Sequence, residues 1–178
     1  MTPRILLAAA LSALVAIPTL SAQERARDAG SKALGKVNSF WVGSTSQRHA
    51  YERARVLNQL GRSAPAVSRE IAQGQVNAVR TNSQAAMKEF SQLKADHPDD
   101  KAVQLHVENL KKHHDNVLAM CSMLDEECKK AEAGGVMICE CCLTMAKELD
   151  AASKDAEKLR EALKIEPLAD PLKEEVKK

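Results

Sequence analysis

The chain has 178 residues and a formal net charge of +2, enough length for one domain with a real core. Phe40, Trp41, Tyr51 and Phe90 are its only aromatic residues, whereas Ala, Lys, Glu, Leu and Arg abound. That composition suits long helices and argues against a β-sandwich or barrel, and the interspersed charges with no basic block argue against a nucleic-acid groove.

Residues 1–22 read as a secretory signal peptide. Arg4 supplies the positive start, Ile5 to Ile17 a short apolar run, Pro18 a helix break, and Thr19-Leu20-Ser21-Ala22 small residues for cleavage. The expected protein is therefore exported, periplasmic or secreted. The apolar run is shorter than the roughly 20 residues of a membrane span, and no later segment is apolar enough to cross one. Residues 23–45, with Gly30, Gly35 and Gly43 among polar residues, read as a flexible arm whose Phe40 and Trp41 dock on the body.

The expected bundle covers residues 46–166. Ser46 caps a short first helix (46–60) that ends at Gly61 and buries Val56, Leu57 and Leu60. Ser63 and Pro65 open a second helix (64–94), with Val76, Val79, Ser83, Ala86, Phe90 and Leu93 on one face and Gly74 as a local weakness. Pro98 ends it, and Asp99 caps the next. The third helix (100–131) carries Val103, Val107, Leu110, His114, Val117, Cys121, Leu124, Cys128 and Ala131 at alternating spacings of four and three. After Gly134-Gly135 the fourth helix (136–165) repeats that spacing through Ile138, Cys142, Met145, Leu149, Ala152, Ala156, Leu159 and Leu163. A charged tail, 167–178, follows. The sequence thus predicts an all-α fold, an antiparallel bundle of three to four helices with a long C-terminal hairpin.

All five cysteines, Cys121, Cys128, Cys139, Cys141 and Cys142, lie at the tip of that hairpin, with Met120, Met123, Met137 and Met145 beside them. Cys121 and Cys128 stand about 10 Å apart along one helix and cannot share an ion. Across the hairpin, Cys128 with Cys139 and Cys142, or Cys121 with Cys142 and Met145, can meet. Thiolate with thioether favours a soft ion, Cu(I) before Zn(II). His106, His113 and His114 precede the cysteines on the third helix and offer a second, weaker site; for His114 the plainer reading is a core histidine opposite Ala152. The competing reading of the thiols is a disulfide framework, Cys128 with Cys139 and Cys121 with Cys142, leaving Cys141 over.

The cysteines at 121, 128, 139 and 142 resemble those of the copper storage proteins and related cysteine-rich four-helix-bundle copper-binding proteins. These line a bundle with inward-facing cysteines, keep His and Met near one end and hold Cu(I). The resemblance covers about residues 121–145. That family carries many more cysteines over all its helices, and the second helix here has none, so the resemblance implies one or a few ions. No nucleophile elbow, phosphate loop, haem-attachment motif or zinc-protease helix is present, so the expected activity is binding rather than catalysis. The expected partner is a soft metal ion; with disulfides instead, the chain reads as a structural protein meeting a protein partner or a second copy of itself.

Overall fold

The computed structural model describes residues 20–130 and 132–168. Most of the expected leader, 1–19, and the tail from residue 169 lie outside the described residues. The chain divides into two units, Met1–Leu34 and Gly35–Lys178, of which the second is the bundle. The elements run α1 (Leu20–Ser63), β1 (Ala66–Ser68), α2 (Arg69–Asp96), α3 (Lys101–Glu127), β2 (Glu132–Gly134) and α4 (Gly135–Ala162). The fold is an all-α bundle. Its neighbouring helices are antiparallel, as the cross-links show: Asn58 bonds Cys139 and Gln47 bonds Ser153 between α1 and α4, while Arg80 pairs with Asp125 and Lys94 with Glu108 between α2 and α3.

The first helix corrects the expectation of a loose arm followed by a short helix, because residues 23–45 are helical and continuous with 46–63. Its buried stripe within the bundle is Phe40, Gly43, Gln47, Ala50, Ala54, Leu57 and Gly61, spaced three and four throughout. The expected Val56 is exposed and Leu60 only half-buried. Apart from Phe40 and Leu57 the stripe is made of small and polar residues, because other helices fill the space. A Cβ on Gly43 would lie 2.9 Å from the Phe90 ring, and one on Gly61 would lie 2.9 Å from Ile138 Cγ2. Large side chains from α2 and α4 sit where α1 has none, which is how a close-packed interior is filled.

The ends of the helices also differ from expectation. Ser68, not Ser63, caps α2, its hydroxyl accepting from the Ile71 amide at 3.4 Å. Asp100, not Asp99, caps α3, accepting from the Ala102 and Val103 amides at 3.0 and 3.1 Å. Either cap satisfies amides that have no partner inside the helix. Residues 66–68 pair instead as a ribbon: Ala66 stands opposite Gly134, Val67 opposite Ala133 and Ser68 opposite Glu132, antiparallel. Beyond it, Gly135 donates to the Pro65 carbonyl at 3.0 Å.

The core falls into two halves. One holds Ala54, Leu57, Val76, Val79, Val117 and Leu124 with Cys121, Cys128, Cys141, Cys142 and Met145. The other holds Phe40, Phe90, Leu93, Val107, Leu110 and Leu159. Between them lie the buried polar residues Gln47, Ser83 and His114. The heptad faces read from α2, α3 and α4 are the buried ones.

Two glycine substitutions should move stability in opposite directions. Gly74 has nothing within 4 Å of an added Cβ, so Gly74→Ala should stabilise the bundle by up to about 1 kcal/mol. At Gly135 the Cβ would lie 2.6 Å from the Ala64 carbonyl oxygen and 2.7 Å from that of Gly61. Gly135→Ala should therefore destabilise by roughly 2 kcal/mol or more, since backbone must shift. Urea unfolding of both variants beside the parent chain measures the two effects.

Candidate functional site

The beginning of α4 determines which thiols face inward. From Gly135 the helix carries Ile138, Cys142, Met145 and Leu149 into the core, and the adjacent Cys141 is buried with them. Cys121 comes from α3, two turns before that helix ends at Glu127. Its thiol donates to the Met145 thioether, Sγ to Sδ 3.8 Å. Cys141 makes the same kind of contact with Met137 at 3.9 Å.

The thiols are also coupled through charge. Burial pushes the Cys121 thiol up to about 11, with Cys141 adding to the rise. Burial pushes Cys142 up to about 12, with Cys141, Cys139 and Cys121 adding to it. Cys128 and Cys141 are raised as well, again mainly by burial. At neutral pH these four are protonated, and a thiolate forms in this interior only when a cation replaces its proton.

The structure brings together part of the set expected from sequence. Cys121 meets Met145, while Cys142, one turn before Met145 on α4, and Cys141, read as the thiol left over, are buried in the same core half. Cys139 turns to α1: its thiol donates to the Asn58 carbonyl at 3.7 Å while the Asn58 amide donates to the Cys139 carbonyl at 3.2 Å. Cys128, the residue that ends α3, is buried in the same core half. The pairing of Cys128 with Cys139 across the hairpin tip is therefore not the contact that Cys139 makes. All five cysteines are free thiols here. Among the described residues no group of three or more His, Cys, Asp or Glu stands in metal-holding geometry, so a site at the thiols draws on methionine sulfur too.

His114 lies apart from the thiols. It is fully buried, and its Nε2 meets Gln47 Oε1 at 3.2 Å, while Gln47 Nε2 donates to Ser153 Oγ at 3.1 Å. This chain ties α1, α3 and α4 together in the polar layer between the core halves. His114 Nδ1 and Ser83 Oγ have no hydrogen-bond partner. Sequence spacing placed His114 on the core face but gave no sign of Gln47, because glutamine on a helix seam carries no apolar signal.

His113 and His106 point elsewhere, toward α4. His113 Nδ1 lies 2.7 Å from Glu148 Oε2 and its Nε2 3.5 Å from Asp155 Oδ2. His106 Nδ1 faces the other Asp155 oxygen at 3.9 Å. The pairing of these two carboxylates with the histidines was not part of the reading from sequence, in which Glu148 was a scattered carboxylate. They belong to α4 positions one heptad apart, opposite two histidines also one heptad apart, and that matching interval was the signal available.

Burial depresses the His114 pKa to about 4, with the charge of His113 adding to the effect. The folded state thus holds the neutral ring, while the unfolded chain takes up a proton near pH 6.5. Stability from this group is fully present above about pH 6.5 and is lost as pH falls toward 4, on the order of 3 kcal/mol in all. In His114→Gln, whose amide can still donate to Gln47, the difference in unfolding free energy between pH 7.5 and pH 4.5 should shrink by that amount. Equal pH slopes in the parent and variant would rule out the buried neutral ring as the cause.

No protein-family model, curated protein or solved structure matches this chain.

Proposed function

We propose that this chain is an exported helical-bundle protein that captures a soft metal ion, Cu(I) in preference to Zn(II), with Cys121, Cys142 and Met145, and with Cys141 adjacent. The carrying observation is the 3.8 Å separation of Cys121 Sγ and Met145 Sδ, with Cys142 buried in the same core half one helical turn before Met145. Sulfurs bonded to one ion at about 2.3 Å stand roughly 3.8–4.0 Å apart in tetrahedral or trigonal arrangement. An uncharged, buried pocket of thiols and thioether suits a monovalent soft ion: two thiolates and one cation leave a single net charge to bury. A cleft of about 320 Å³ lined by Met123, Glu126, Glu127, Lys130 and Met137 borders the cluster, since Met137 touches Cys141. Binding rather than catalysis is the proposed activity, and export rests on the leader read from residues 1–22. No described helix is long and apolar enough to cross a membrane.

A second reading rests on the same proximity. Cys121 and Cys142 are buried in the same half of the core on facing helices, and in an oxidising compartment such a pair can close a disulfide that staples α3 to α4. The chain would then be a structural or interaction protein.

Competition of the reduced protein against a Cu(I) chelator separates the two readings. Cys121→Ala and Cys142→Ala should each weaken Cu(I) binding by roughly 100-fold or more, and Met145→Leu by about tenfold. Because two protons leave as the ion enters, the apparent affinity of the parent chain should rise about 100-fold per pH unit between pH 6 and 8. An affinity that is flat with pH, or unchanged in the double alanine variant, would sink the metal reading. Loss of two hydrogens from the intact mass of exported protein, with no metal, would favour the staple.

A further inference from the structure

We propose that the groove between α1 and α4 binds a small organic anion, a carboxylate on a medium-length apolar body, with its head on Arg55 and Arg62. The groove encloses about 590 Å³, inside the range of roughly 300–1,000 Å³ that small-molecule sites occupy. α1 lines it with Tyr51, Arg55, Asn58 and Arg62, which recur at spacings of four, three and four and so share one face of that helix.

The groove has an apolar end and a cationic end. Asn58 Nδ2 donates to the Cys139 carbonyl at 3.2 Å, which sets the register of the two antiparallel helices. Seven residues back along α1 and seven forward along α4 bring Tyr51 level with Ala146. Both are half-buried, and Leu143 of α4 lies beside them in the lining. Val56 on the α1 bank and Leu143 on the α4 bank are exposed. A single exposed apolar side chain is ordinary, but two on opposite banks of one groove form a patch that a ligand can cover. Arg62 marks the other end, toward the hairpin tip. Tyr51 and Asn58 are about 10 Å apart along the helix, the length of a medium aliphatic chain.

Charge selects the sign of the ligand. The lining carries the guanidinium groups of Arg55 and Arg62 against one carboxylate, Glu52. Among the described residues the arginines in ion pairs are Arg80 and Arg160, so Arg55 and Arg62 have no carboxylate of their own. The Arg55 guanidinium lies 5.9 Å from the Tyr51 ring centroid. That stacking holds its plane against the groove wall and leaves its N–H groups free, and a guanidinium fork matches a carboxylate. Cys142 also lines the groove. Burial pushes its thiol up to about 12, so it stays protonated at neutral pH and sets no negative charge against the ligand. The proposal does not rest on metal binding at the thiols.

Titration of the reduced, metal-free, full-length chain with anilinonaphthalenesulfonate, an apolar anion that fluoresces when sheltered from water, tests the assignment. One probe should bind per chain. Decanoate should displace it, and decyltrimethylammonium, with a chain of the same length and the opposite charge, should not at equal concentration. Arg55→Gln and Arg62→Gln should each weaken decanoate binding roughly tenfold, and Ala146→Trp, which fills the apolar end, should abolish it. Should a variant fail to fold, the parent chain still decides. Bound decanoate should shift the methyl resonances of Val56 and Leu143 and spare those of Leu105, an exposed leucine on α3. Absence of decanoate binding, equal displacement by the cation, or equal shifts at Leu105 would each overturn the proposal. So would a dimer in sedimentation that Leu143→Glu dissolves, since the groove would then belong to a second copy of the chain.

Discussion

The close approach of Gly135 to the carbonyls of Gly61 and Ala64 sets the geometry of the thiol end. No other residue fits there without moving backbone, and the Gly135 amide is used in bonding the Pro65 carbonyl. This contact fixes where α4 begins and how it is rotated. Successive residues on a helix turn by about 100°, so beginning one residue later would exchange the inward and outward thiols. With α4 starting at Gly135, Cys141 and Cys142 are buried and Cys139 is turned to Asn58 of α1. The chemistry proposed for the thiols therefore depends on a glycine that carries none.

The interior that surrounds these thiols keeps charge out. The raised proton affinities of Cys121 and Cys142 and the lowered one of His114 have one cause, the cost of a charge in a packed, apolar interior. The acidic and basic groups respond in opposite directions, yet both end neutral at pH 7. The neighbouring face of the same α3–α4 pair is polar instead: His106, His113 and Glu148 are half-buried, and the buried Asp155 carboxylate faces His113 and Lys158. The hairpin thus presents two environments about two turns apart, one apolar around the thiols and one built of charged and polar groups.

The sequence made the fold legible where large apolar residues mark the helical period. The seams of α2, α3 and α4 are the buried faces, from Val76 to Leu93, Val103 to Cys128 and Ile138 to Leu163. It was misleading for α1, whose stripe, Phe40 and Leu57 apart, is Gly43, Gln47, Ala50, Ala54 and Gly61. Those residues look like linker composition because their partners Phe90 and Ile138 supply the bulk from other helices. At the thiol end, the contact of Cys121 with Met145 and the burial of Cys142 followed from spacing. The burial of Cys141 did not, since a residue beside a seam position goes in or out according to a rotation that only tertiary contact decides. Pairing of His113 with Glu148 and Asp155 likewise needed the side-to-side placement of α3 and α4.

The scarcity of aromatic residues has an optical consequence. Trp41 packs at the thiol-free half of the core, edge-on to Phe40 with centroids 5.0 Å apart. Tyr51 packs at the thiol half, beneath the Arg55 guanidinium at 5.9 Å from its ring centroid. With one indole and one phenol in the whole chain, each half of the bundle carries its own chromophore. Emission from the indole and from the phenol would report separately on the two halves, so melting of one half before the other would appear as two curves that fail to superimpose.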